Sequence, residues 1–166
     1  LKSTNIKKLN FSIIAPISQD TNFGSLKKNK ILKDKGIIET NYTKGFAMLV
    51  DKKKIKKIGM FDKNIFLYLE EIDLCKRLQS KKQKIYLNTK AKILHKAAKS
   101  SNIGFEFEKC RNWHWMWSSV YYKRKYTNLL STFLEFSPIL FSSFFKLIFY
   151  FLILQFKKSI LNYMRL

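Results

Sequence analysis

GFAMLVDKKKIKKIGMFDKNIFLYLEEIDLCKRLQSKKQKIYLNTKAKILH, residues 45–95, switches between strand-like and helix-like patterning, and those switches decide the fold class. Phe46 to Val50 is a short apolar run after a glycine and reads as a strand. Asp51 is placed to cap a short helix, KKKIKKIG, which Gly59 stops. An aromatic loop then leads into a helix over about Glu70 to Lys81. KIYLN and AKILH follow as two short strands around a turn at Asn88 to Lys90.

Working outward, FSIIAPIS (11–18) is a short apolar run ended by Pro16 and reads as a buried strand. QDTNFGSLKKNKILKDKG (19–36) carries turn residues and lysines and reads as an exposed excursion. Residues 37–50 are β-rich. Downstream, 108–126 reads as an aromatic, basic helix, and 128–164 as a long apolar helix broken near Pro138. The expected class is α/β: a partial mixed sheet with flanking helices over 1–107, then a helical, membrane-associated region over 108–166.

The charge is lopsided. Thirty-three Lys and Arg against 11 Asp and Glu give a formal net charge of +22. Such a chain attracts nucleic acid, lipid head groups or phosphorylated substrates alike. The excess is nearly all lysine and accompanies Ile, Asn and Phe, a mixture that A/T-rich codons also produce. Cys75 and Cys110 give neither a disulfide framework nor a paired metal spacing, so a reducing compartment is expected. No basic stretch followed by an apolar run opens the chain, and no signal peptide is expected.

Against this background Glu70, Glu71 and Asp73 stand out. Glu71 shares a helical face with Leu74, Cys75 and Leu78, so its carboxylate is expected along the buried side. Burial disfavours the charged form and raises a carboxylate pKa, which suits a general base. Asp73 lies four residues before Arg77, an arrangement that favours a surface ion pair. Glu70 sits in the first turn, where negative charge complements the helix dipole. From composition alone, three acids decorating a helix start is the plainer reading.

The ordered set of residues adds to this. Gly45, then Gly59, Phe61 and Asp62, then Phe66, Tyr68, Glu70, Glu71, Asp73, Leu74, Cys75 and Arg77, and finally His95, resembles the acceptor half of family 2 glycosyltransferases, in particular the rhamnosyltransferase-like branch. The resemblance implies a GT-A fold and inverting sugar transfer from a nucleotide-diphosphate donor to a glycan or lipid-linked acceptor in cell-surface polysaccharide synthesis. It places the general base at Glu71, where Asp is commoner, with Glu70 and Asp73 as its catalytic neighbours. His95 corresponds to a histidine that completes a divalent metal site (Mg or Mn), where the metal neutralises the leaving diphosphate; a strand-end His bonded to a loop is the alternative. Gly45 would let backbone approach sugar or acceptor, or serve a plain turn. Asp62 would orient substrate or cap a turn.

One departure matters. The family's nucleotide-binding half carries an Asp-x-Asp motif, and Asp20, Asp34 and Asp51 are isolated. The chain is therefore expected to be the acceptor-side half, inactive without a donor half.

In the tail, CRNWHWMWSSVYYKRKY (110–126) interleaves aromatic and basic residues, which suits base stacking, a membrane-interface belt or core packing. PILFSSFFKLIFYFLILQF (138–156) favours the membrane, being close to the ~20 residues that span a bilayer. Ser131, Glu135, Ser142, Lys146 and Lys157 are spaced by near-whole helical turns and form one polar stripe, so lying in the interface is expected ahead of spanning. Location at the cytoplasmic face, peripheral or C-terminally anchored, follows. Two other functions compete: a basic nucleic-acid-binding protein, and a non-catalytic membrane-anchored remnant. The first explains the charge but not the apolar tail or the acidic helix.

Overall fold

A computed structural model describes residues 9–18, 31–32, 36–94 and 104–166. They form a mixed α/β structure, in chain order β1 (Ile13–Ser18), β2 (Ile31–Leu32), β3 (Ile37–Glu39), β4 (Leu49–Val50), α1 (Lys52–Lys57), α2 (Glu70–Ser80), β5 (Ile85–Ile93), α3 (Phe105–Tyr126), α4 (Leu129–Leu152) and α5 (Phe156–Tyr163). The chain divides into two compact units: Leu1–Asp62 with Glu70–Ala97, and Lys63–Leu69 with Ala98–Leu166.

The first unit holds a small mixed sheet ordered β2-β3-β5-β1-β4. Its centre is the parallel pair β1 and β5, and the other pairings are antiparallel. Side chains alternate across a strand, so neighbours in sequence serve opposite faces. Ile13 and Ile85 join Ile55, Leu74, Cys75 and Leu78 in one buried cluster. Ile14 and Tyr86 turn the other way and bury with Ile37. The spacing of Leu74, Cys75 and Leu78 along α2 brings all three to the sheet, each at most 1 % exposed. Truncating Leu78 to Ala costs about 2–5 kcal/mol by the usual transfer and cavity terms.

Asp51 caps α1 as expected, its carboxylate accepting from the Lys53 and Lys54 amides. Two local expectations change. KIYLN and AKILH are one strand, β5, rather than two. Its register against β1 jumps between the pairs Pro16–Asn88 and Ile17–Lys92. Asn88 accepts from the Lys90 amide, a turn-like bond that makes a bulge within the strand, because β1 continues on both sides of it. Within the stretch read as an exposed excursion, Ile31–Leu32 instead pairs with β3; residues 19–30 and 33–35 lie outside the described residues.

The described residues of the second unit are mainly helical, in α3, α4 and α5, and Lys63–Leu69 is a non-helical segment of it. α3 starts a turn earlier than expected, after Gly104. Its aromatic residues hold the 63–69 segment: Trp117 Nε1 donates to Asn64 O (2.9 Å), Asn64 Nδ2 to Tyr121 Oη (3.0 Å) and Ser118 Oγ to Leu67 O (2.6 Å). Trp113, Trp117 and Tyr121 stack in sequence at four-residue intervals. α4 does not break at Pro138 but runs through it. Proline cannot donate to the carbonyl four residues back, that of Leu134. The Ser137 hydroxyl, at 3.4 Å, supplies a donor to that carbonyl instead. The break comes at residues 153–155, where Leu154 takes a positive φ. Lys157 therefore belongs to α5 and leaves the polar stripe.

Thr132, Phe136 and Ser143 are buried on α4, and Ser159 of α5 donates to Leu147 O at 3.1 Å. Leu134, Phe141, Phe145, Ile148 and Leu152 occupy the face opposite this buried one and are exposed. Leu129–Leu152 is long and apolar enough, by length and composition, to cross a membrane.

Candidate functional site

The acidic residues of α2 separate by helical phase. Asp73 points inward and is fully buried, not paired at the surface as its spacing suggested. Arg77 Nε donates to its carboxylate at 2.7 Å. The two η nitrogens of Arg77 donate to Ile58 O and Met60 O, each at 2.6 Å. Gly59 and Met60 between them take left-handed φ angles of 91° and 59°. Glycine accepts this without strain, whereas methionine does not. Asp73 and Arg77 thus form a strut that fixes the Gly59–Met60 turn, from which the Phe61–Asp62 pair departs.

Glu71 lies at the edge of the buried face, half-buried. Loss of solvent is the largest influence on it and lifts its pKa above the ordinary carboxylate value; the neighbouring Glu70 charge adds in the same direction, and backbone hydrogen bonds oppose. Glu70 Oε2 is buried and has no hydrogen-bond partner among the described residues. Such an atom is costly unless something else satisfies it. Gly45 stands beside both acids. A Cβ added there would lie 3.6 Å from Glu71 Cβ and 3.7 Å from Glu70 Oε1. These are ordinary van der Waals distances, so Gly45 directly adjoins the two acids.

Of the residues expected to form the site, the structure brings Gly45, Glu70 and Glu71 together and turns Asp73 toward the 58–60 turn. Asp62 is half-buried just after that turn. His95 lies outside the described residues. Among the described residues, no group of three or more His, Cys, Asp or Glu could hold a metal ion.

Tyr68 was part of the quoted motif without an assigned task. Arg111 Nε donates to its hydroxyl at 2.9 Å. Tyr68 and Leu69 take φ angles of 68° and 66°, a left-handed pair without glycine immediately before Glu70 in the chain. Each such residue costs on the order of 1–3 kcal/mol. Nothing in the residue types signals this pair.

Comparison with protein-family models, curated proteins and solved structures finds no match to this chain.

Proposed function

We propose that this chain carries the acceptor-side part of an inverting family 2 glycosyltransferase of GT-A type, with Glu71 as general base. The observation that supports this best is the Gly45, Glu70 and Glu71 cluster. It combines a carboxylate whose pKa burial raises, a second carboxylate with a buried oxygen that has no hydrogen-bond partner among the described residues, and a glycine directly beside them. A base with a raised pKa holds a proton more firmly once it has taken it, as this step needs.

In the reaction, the acceptor hydroxyl gives its proton to the Glu71 carboxylate as its oxygen attacks the anomeric carbon. The bond from that carbon to the diphosphate breaks, and the diphosphate departs with the electron pair. Glu70 faces the same space and takes a hydrogen bond from the acceptor. Asp73 acts at a distance, holding Arg77. The resemblance assigns His95 of this chain to a divalent metal, which would lower the charge on the leaving diphosphate. The nucleotide-sugar donor binds in the donor half, which carries the Asp-x-Asp. The acceptor is a glycan or a lipid-linked glycan of cell-surface polysaccharide.

The test joins this chain to a donor half with an Asp-x-Asp, sought first in the codons upstream of Leu1, and measures sugar transfer. Transfer with inversion supports the reading. A complete upstream sequence without such a segment, and no transfer after fusion to a family donor half, rejects it.

The exposed apolar face of α4 supports a place at a membrane surface, and the glycosyltransferase reading assigns this to the cytoplasmic face. Phe141 and Phe145 are 64 % and 67 % exposed, whereas Leu147 is half-buried and its carbonyl meets α5. A charge introduced at 141 and 145 therefore tests the membrane without disturbing the helix pair. Phe141→Glu with Phe145→Glu is expected to cut binding to anionic vesicles about 10-fold or more while the thermal midpoint holds. Truncation after Asn128 is expected to release the protein. Retention by either form as tight as that of the full chain removes the membrane assignment. Binding that passes to RNA, with a steep salt dependence, favours the nucleic-acid alternative instead.

A further inference from the structure

Two cavities in the helical unit share one arginine. The first, about 610 Å³, is lined by Tyr68, Glu108, Arg111, Asn112, Trp115 and Arg165, among others. The second, about 480 Å³, is mainly apolar, with Met116, Phe136, Leu140 and Met164 in its wall; Arg165 lines it as well, and Arg124 adds a second positive charge.

Both arginines of the first cavity are positioned through Nε. Arg111 Nε donates to Tyr68 Oη at 2.9 Å, and Arg165 Nε to Asn112 Oδ1 at 3.1 Å. Asn112 is itself fixed, its Nδ2 donating to Glu108 O at 3.1 Å. Among the described residues neither arginine has an ion-pair partner. Their η nitrogens remain as forked donors, the geometry that matches phosphate oxygens. Glu108 is the single carboxylate in the wall, and its side chain is exposed, so the cavity keeps a net positive charge. The indole of Trp115 offers a flat apolar surface beside the two guanidinium groups.

An inorganic anion would use the first cavity and leave the second without an occupant. A ligand with an anionic head and an apolar chain uses both, with its junction at Arg165. We propose that the helical unit binds a lipid carrying a phosphate on a hydrocarbon chain, the phosphate between Arg111 and Arg165 and the chain along Met116, Phe136 and Leu140. The proposal rests on the geometry of this unit alone, so it stands or falls separately from the glycosyltransferase reading.

Lysophosphatidic acid, one phosphate on one acyl chain, is the probe, added below its micelle concentration to the full chain, with tryptophan fluorescence and calorimetry as readouts. Inorganic phosphate and lysophosphatidylcholine distinguish head from chain. Lysophosphatidic acid is expected to bind about 100-fold more tightly than inorganic phosphate, because only it buries the chain. Arg111→Gln with Arg165→Gln is expected to lower that affinity about 10-fold or more. Lys157→Gln with Lys158→Gln removes the same charge from exposed positions and is expected to change it less than about 3-fold. Met164→Gln, which adds polarity without charge, is expected to weaken lysophosphatidic acid and leave phosphate unchanged. Equal losses from the arginine and lysine pairs, or phosphate binding as tightly as the lipid, overturn the proposal. If the arginine pair does not fold, Tyr68→Phe decides. It leaves the charge intact and removes the bond that orients Arg111; a several-fold loss supports the site and an unchanged affinity overturns it.

Discussion

Glu71→Gln, in a chain joined to its donor half, is expected to lower sugar transfer by about 10²- to 10⁴-fold, the usual loss for a positioned general base. Nucleotide-sugar binding is expected to stay near wild type, since the proposed function assigns the donor site to the other half. The variant keeps the shape of the side chain and a hydrogen-bonding carbonyl, so the loss reports the missing proton acceptor. Stability should move the other way. Burial raises the pKa of Glu71 in the folded chain above its unfolded value, so its ionised form costs stability at neutral pH. That contribution to stability is fully present below the unfolded pKa and is lost as pH rises through the folded pKa. Glutamine carries no such charge, and the thermal midpoint of the variant is expected to equal or exceed that of wild type at pH 7. Transfer by wild type is expected to rise with pH through a midpoint above the ordinary carboxylate range, and residual transfer by the variant to lack that step. Wild-type rates in the variant, or a lower midpoint with no loss of rate, remove Glu71 from the chemistry.

What the sequence disclosed follows from how local each cause is. The Asp51 cap, the span of α2 and the burial of Leu74, Cys75 and Leu78 depend on residues within a turn or two of each other, and all were legible. So was the phase that puts Glu71 at the edge of the buried face. The single strand β5 was not, because a turn-forming Asn88–Lys90 becomes a bulge only when β1 runs along both its sides. Pro138 signals a break, but a serine next to it can serve the orphaned carbonyl. The aromatic helix was ambiguous for a similar reason. Its stacked rings and hydrogen bonds fix a segment some fifty residues earlier, such as Asn64, 53 positions before Trp117, and spacing within the helix cannot show that. Arg165, at the far end of the chain, carried no motif at all. Its relation to Arg111 comes from helices that turn back on one another. The GT-A architecture and the metal assignment to His95 stay with the proposal, since the sheet described is small and His95 lies outside the described residues.

Arg77→Met is the second variant with a large expected effect, here on stability. It removes the ion-pair partner on one side of Asp73, whose side chain is wholly buried, and takes donors from Ile58 O and Met60 O at the same time. Breaking a buried pair from one side leaves a charge without compensation and typically costs about 3–5 kcal/mol. Urea unfolding of the full chain, followed by circular dichroism, is expected to show a midpoint shift of that size with little change in slope. Arg77→Lys keeps the charge but cannot reach the carboxylate and two carbonyls with one ammonium, so an intermediate loss is expected. Asp73→Asn also removes the charge that demands compensation, and it is expected to cost less than Arg77→Met. Replacing both together, Asp73→Leu with Arg77→Met, is expected to recover part of the loss, because a buried pair exchanged for apolar groups is often nearly neutral. A double-mutant cycle over these variants isolates the coupling between the two residues. A coupling near zero would mean that the strut is incidental and that the 58–60 turn is held by its own backbone. The same variants separate two roles on one helix. Asp73→Asn in the joined enzyme is expected to lower the unfolding midpoint while transferring sugar at a rate far above that of Glu71→Gln. The reverse order, with Asp73→Asn the slower enzyme and the better folded one, would move the general base from Glu71 to Asp73.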